Sequence, residues 1–173
     1  MDIPKEAWSN IITGFFTLAA ALGAIVVQQL LKRGELIFYV ANFKEKYYKD
    51  DMAGGFEQID LSDEVVHGDF KTEIDIFNSA EVPNSLREIS IKYKAENHEA
   101  SADVKDYDTG RRTSHKFVYD TVKVLNFLPK TMRHYNLVCF FSAEDRPVKG
   151  TDVWFVAKDF KGKEYRVKIG KVL

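Results

Sequence analysis

Four histidines (His67, His98, His115, His134), a single Cys139 and the cluster Glu96-Asn97-His98-Glu99 are the side chains best suited to metal or acid–base chemistry. No His-x-x-x-His pair occurs, and one imidazole between two carboxylates is a weak donor set that a solvated loop supplies equally well. Cys139 lies in the apolar run Leu137-Val138-Cys139-Phe140-Phe141, where packing is its expected role. A lone cysteine forms neither an intrachain disulfide nor a cysteine-based zinc site. Gly-rich phosphate loops, a G-x-S-x-G elbow and a Walker-type lysine are all missing from the sequence. The expectation is no metal, no cofactor and no enzymatic activity.

Binding is better represented. From Ala95 to Lys116 runs a stretch read as a long loop, and connections beyond about 12 to 15 residues are usually functional or mobile. Its charge is sorted: Glu96, Glu99, Asp103, Asp106 and Asp108 precede Arg111, Arg112, His115 and Lys116, with Tyr107 near the change of sign. Tyr107 as a stacking surface, with Arg111, Arg112 and His115 capturing phosphate or carboxylate, is the candidate ligand site. The competing reading is a solvated loop whose two halves pair with each other.

The elements that position these residues are strands. Phe70, Thr72, Ile74 and Ile76 alternate with Lys71, Glu73 and Asp75, and Ile89, Ile91 and Tyr93 alternate with Ser90, Lys92 and Lys94. Tyr165, Val167 and Ile169 do the same against Glu164, Arg166 and Lys168, the period of a sheet with one wet face. Residues 36–43, 134–141 and 152–158 are apolar enough for central strands, with weaker candidates at 56–61 and 117–127, for seven to nine strands in all. Turn residues separate them at Asp51–Gly55, Asn78–Ser85, Asp145–Pro147 and Phe160–Lys163. Residues 35–173 should form an antiparallel sandwich, or alternatively a small β-barrel. The strand, Asn-Ser-x-x-x-Pro loop, strand order around 70–93 and the closing hairpin at Gly162 resemble an immunoglobulin-like sandwich. That resemblance is one of fold only; no Cys-Trp-Cys signature is present, and no functional residue is carried over.

The N-terminal region differs from the rest. Residues 8–31 carry no charge, and Ile11 to Leu31 hold only Thr13, Thr17, Gln28 and Gln29 as polar members. As a helix this stretch would be about 31 Å long, which matches a hydrocarbon core of about 30 Å. A leader of residues 1–10 and a single transmembrane helix over 11–33 are expected, with Trp8 at one interface and Lys32 and Arg33 at the other. A cleaved secretory signal would need a basic leader, yet Lys5 stands against Asp2 and Glu6. Cations gather after the span (Lys32, Arg33, Lys44, Lys46, Lys49), so the sandwich should face the cytoplasm from the inner membrane, N-terminus outside. Thr13, Thr17, Ala20, Gly23 and Ala24 form small-residue pairs suited to helix association, making a homo-oligomer or a membrane-protein partner plausible.

The whole chain of 173 residues has a formal net charge of -1, and removing its N-terminal charges leaves the remainder close to neutral, so nucleic acid is not an expected partner. The last hairpin is basic (Lys158, Lys161, Lys163, Arg166, Lys168, Lys171) and would meet anionic lipid if it faced the membrane, although lysines that protect an edge strand explain it equally. The leading expectation is a membrane-anchored binding or sensing module acting through a ligand or a protein partner. The alternatives are a small defence-type effector whose helices assemble into a lesion, and a hydrolase on a sandwich scaffold.

Overall fold

The computed structural model describes residues 15–20, 22–26, 34–51, 53–114 and 117–173. Eleven strands run in chain order through the described residues: β1 (Leu36–Asp50), β2 (Phe56–Ile59), β3 (His67–Asn78), β4 (Asn84–Lys94), β5 (Glu99–Asp103), β6 (Lys105–Arg112), β7 (Phe117–Thr121), β8 (Val124–Phe127), β9 (Met132–Ser142), β10 (Asp152–Asp159) and β11 (Glu164–Lys171). They form two separate sheets, ordered β2-β1-β3-β9-β6-β7 and β11-β10-β4-β5, with β8 beside the first half of β4. The fold is a mainly β sandwich of the immunoglobulin-like kind rather than a closed barrel.

The alternation of β3 builds one half of the core. Phe70, Ile74 and Ile76 point inward and are fully buried, joined by Leu137, Cys139 and Phe141 of β9. Across from them lie Leu86, Ile91 and Tyr93 of β4 and Val153, Phe155 and Ala157 of β10. Rings meet at the mid-plane, with Phe70 edge-on to Tyr93 at 5.1 Å and beside Phe141 at 5.0 Å. Burial pushes the Cys139 thiol up to about 12, so it packs as a small apolar group and does not react.

Two expectations need correction. The stretch 95–116 is not one long loop, because Ala100 and Ala102 give β5 an inward period too faint in volume to stand out, and β6 follows after the buried Val104. Residues 36–43 are not central either. The side of β1 turned away from β3 is laddered to β2 only from Tyr47 to Asp50, and a bulge between Val40 and Asn42 interrupts its register with β3.

Turn chemistry follows the sequence closely. Asp159 is buried at the β10–β11 hairpin, where its Oδ1 accepts from Lys161 N and Lys163 N at 2.8 and 2.9 Å and Gly162 takes φ +84°. Asn78, at the end of β3, is fully buried: its amide donates to Val82 O and Leu128 O at 2.9 and 3.1 Å, and its Oδ1 accepts from Ala80 N. One side chain thus ties loop 79–83 to loop 128–131.

Among the described residues no helix is long and apolar enough to cross a membrane. Residues 15–20 and 22–26 are helical and exposed, which places Thr17, Ala20, Gly23 and Ala24 on helix; Thr13, Trp8, Lys32 and Arg33 lie outside the described residues.

Asn78→Ala leaves two carbonyls and an amide without their partner, and stability should fall by about 2–3 kcal/mol in urea unfolding of the chain, with the cooperative slope kept.

Candidate functional site: an aromatic and lysine face

The residues of β3 that alternate with its core positions face outward, and so do those in register with them. Lys44, Lys46 and Tyr48 of β1 stand opposite Lys71, Asp69 and His67 of β3, and on its other side Lys71 meets Val138 and Asp69 meets Phe140 of β9. Beyond β9 come Tyr107 of β6 and Tyr119 and Phe117 of β7. Six strands contribute to one surface.

Its centre is a set of rings left open to solvent. Tyr107 and Tyr119 stack at 5.6 Å with planes 19° apart, Phe117 lies 6.4 Å from Tyr119, and Phe140 tilts toward Tyr119 at 5.8 Å. Gly110 makes this possible: a Cβ there would meet Tyr119 Cε1 at 2.8 Å, so only glycine lets the ring lie across β6. Lys71 Nζ sits 3.4 Å above the Tyr107 ring, and Lys105 Nζ is 5.2 Å from Phe140. At the other end Tyr48 stacks on His67 at 5.0 Å and Phe56 meets His67 edge-on at 4.3 Å.

Between the two ring groups lies a hollow of about 330 Å³ walled by Lys44, Lys46, Lys71, Tyr48, Tyr119 and Phe140, with Asp69 in its floor. Burial pushes the Asp69 carboxyl above its ordinary range, against the pull of Lys46, His67, Lys71 and the Tyr48 hydroxyl. Burial, followed by Asp69, raises Tyr48 in turn. Three lysines around one carboxyl leave a net positive hollow beside flat rings.

The other sheet carries a larger cleft, about 910 Å³, around Trp154. Two of its cations are held in pairs: Arg166 lies over Trp154 at 5.0 Å and bonds Glu99 at 3.1 Å, and Lys168 pairs with Asp152 at 2.6 Å, while Lys94 and Lys171 also line it. An anion at Arg166 or Lys168 would have to separate these pairs, whereas the smaller hollow sets three lysines beside a group of rings.

Of the residues singled out from the sequence, Tyr107 belongs to the ring stack. Arg111 does not join it, being paired with Asp120 at 2.9 Å across the β6–β7 hairpin. Arg112 is exposed opposite Phe117 at the hairpin tip, and His115 lies outside the described residues. The cluster Glu96–Glu99 is divided among separate partners: Glu96 with Arg146, His98 with Asp145 at 3.0 Å, Glu99 with Arg166. Among the described residues no three metal-ligating side chains come together. Sequence reasoning missed Lys44, Lys46, Lys71, Tyr119 and Phe140; the spacing Lys-x-Lys-x-Tyr over 44–48 was the available signal.

Comparison with known proteins agrees on the sandwich. The family described as the YopI Ig-like domain matches residues 34–170. A prophage-derived protein of Bacillus subtilis (strain 168), an SPbeta YopI, is 32% identical, with 94% of this chain and 97% of that protein aligned. Among solved structures, a beta-sandwich protein from Clostridium difficile 630 is similar at 12% identity and TM-score 0.39, covering 79% of this chain and 86% of that one. The apo PmoF2 PCuAC domain is similar at 11% identity and TM-score 0.38, covering 78% and 93%. At those scores neither structure carries an argument about ligands.

A carboxyl whose folded pKa exceeds its unfolded value costs stability once ionised; the cost is absent below the unfolded value and complete above the folded one. Asp69→Asn should therefore raise the urea midpoint at pH 7, and the difference should vanish near about pH 3, below the ordinary Asp value.

Proposed function

The chain belongs to the YopI Ig-like domain family, and from that premise we propose that it is a membrane-tethered binding module whose sandwich captures a small ring-bearing anion on the aromatic and lysine face. The observation that carries this reading is the open stack of Tyr107, Tyr119 and Phe140 beside Lys44, Lys46 and Lys71. Flat rings offer a stacking partner to another flat ring, and the lysines offer charge to a phosphate or carboxylate attached to it. The hollow has the volume of a nucleotide-sized ligand, at the lower end of usual small-molecule sites of about 300–1,000 Å³. Such a surface binds; it does not bring a nucleophile to a base, and the module acts through what it holds.

The tether is the apolar segment 11–33. Alignment with the Bacillus subtilis relative covers 94% of the chain, more than residues 34–173 alone supply, so the likeness extends into that segment. Cations that follow it keep the sandwich on the cytoplasmic side. A second reading has one observation in its favour: no described residue lies within 4 Å of where a Cβ of Gly23 would be, and Thr17, Ala20 and Ala24 are exposed on the helical residues 15–20 and 22–26. Helices of several copies could pack there, and ligand-driven clustering would then assemble a membrane lesion.

Titration of the intact chain in detergent micelles with purine and pyrimidine mononucleotides tests the first reading. Binding is expected, and Tyr119→Ala should weaken it about tenfold, the worth of roughly one stacked ring. Absence of binding at millimolar nucleotide, or an unchanged affinity in Tyr119→Ala, would remove the ring stack as the site. Potassium leakage from cells that overexpress the intact chain would favour the lesion-forming reading.

A further inference from the structure

The chain enters the sandwich at one end, and that end is built differently from the rest of the surface. Gly34 is pressed against loop 79–83: a Cβ there would meet the Ala80 backbone at 2.3 Å. Ser79 closes the junction on both sides. Its N donates to Glu35 O at 3.1 Å, its hydroxyl donates to the same oxygen at 2.7 Å, and Glu35 N donates to Ser79 Oγ at 2.9 Å. Gly34 is a close-packed joint and not a hinge. Whatever precedes it leaves the domain at a fixed place.

Large apolar side chains surround that place. On the outer face, Ile37 of β1 lies opposite Phe77 of β3 and Phe77 opposite Met132 of β9, the first row after the entry point. Ile37 is 40% exposed and Met132 56%; Leu128 in loop 128–131 is 57% exposed and Phe160 at the β10–β11 turn 54%. Phe160, Lys161 and Lys163 share a small hollow with Gly34 and Glu35, so the basic hairpin tip is at this end. Lys130, Arg133, Lys161 and Lys163 outnumber the acids Glu35, Glu81 and Asp159; Glu35 pairs with Lys163 at 2.5 Å, Glu81 with Lys130 at 3.1 Å, and Asp159 is buried in the turn.

Exposed Leu, Met and Phe side chains set among lysines are what an interfacial surface needs, because apolar chains enter the headgroup layer and cations meet anionic lipid, each cation contributing on the order of 1 kcal/mol. We infer that this entry end of the sandwich, with Leu128, Met132 and Phe160 at its tip, docks on an anionic bilayer surface. The inference rests on the membrane tether proposed above. It adds a fixed orientation: the domain stands on its entry end, and the aromatic and lysine face, several rows further along β3, is held away from the lipid.

The test uses the full chain reconstituted in vesicles of zwitterionic lipid with a fraction of anionic lipid and a headgroup-attached quencher. A fluorophore is placed at Lys161→Cys in one sample and at Lys149→Cys, at the opposite end, in the other; the native Cys139 is buried and stays unlabelled. Flotation with the vesicles and several-fold stronger quenching at position 161 than at 149 is the expected result. Adding Leu128→Ser and Phe160→Ser should abolish the quenching while flotation persists. A chain that floats with equal quenching at both positions, or whose quenching survives the two serines, overturns the docking and leaves the tether intact. If the chain does not float at all, the tether itself is wrong.

Discussion

Face-to-face packing of two twisted sheets decides what this protein can present to its surroundings. Once Phe70, Ile74 and Ile76 of β3 are committed to the core with Tyr93 and Phe155 opposite, the period of a strand sends His67, Asp69, Lys71, Glu73, Asp75 and Phe77 outward. A one-residue slip would bury a row of charges, so register is strongly specified. The ladders on either side of β3 then fix the outward residues of β1 and β9 as well. Surface chemistry is therefore a consequence of core packing, and Asn78 secures it at one end by binding two loops to the last turn of β3.

The outer face of the six-stranded sheet changes character along its length. Nearest the entry of the chain it is apolar, at Ile37, Phe77 and Met132. Next comes a polar band in which His134 holds Asp75 at 2.7 Å and Asn136 holds Asp108 at 3.0 Å. That hydrogen bond to Asp75 raises the His134 imidazole above its ordinary value. Past this band come the lysines and the rings. On the opposite sheet Arg166 and Lys168 are held by Glu99 and Asp152.

Much of the sandwich was legible in the sequence because the strands that carry most of the core alternate large apolar with charged residues. β3, β4 and β11 are plain in this sense, and Asp159 with Gly162 announces the last hairpin. β5 was not, because alanines fill its inward positions, and β6 was not, because its residues are polar on both faces. The length of β1 was hidden by its lysines, which read as the end of an apolar run although the strand continues to Asp50. Beyond Tyr107, the ring and lysine face left only the Lys-x-Lys-x-Tyr spacing of 44–48 as a trace in the sequence. It gathers residues from strands whose order in the sheet, β2-β1-β3-β9-β6-β7, differs from their order in the chain, and no spacing along one segment records that. Gly34 is ambiguous in sequence for a related reason: a glycine marks either freedom or crowding, and only the position of Ala80 says which.

The two ends of one sheet face are the substance of this account, and oxidative footprinting of the intact chain in anionic lipid nanodiscs measures them together. Hydroxyl radicals should modify Tyr107, Phe117 and Tyr119 readily while leaving Leu128, Met132 and Phe160 shielded by lipid. Equal reactivity at both ends, or protection of the tyrosines with an open Met132 and Phe160, would contradict it.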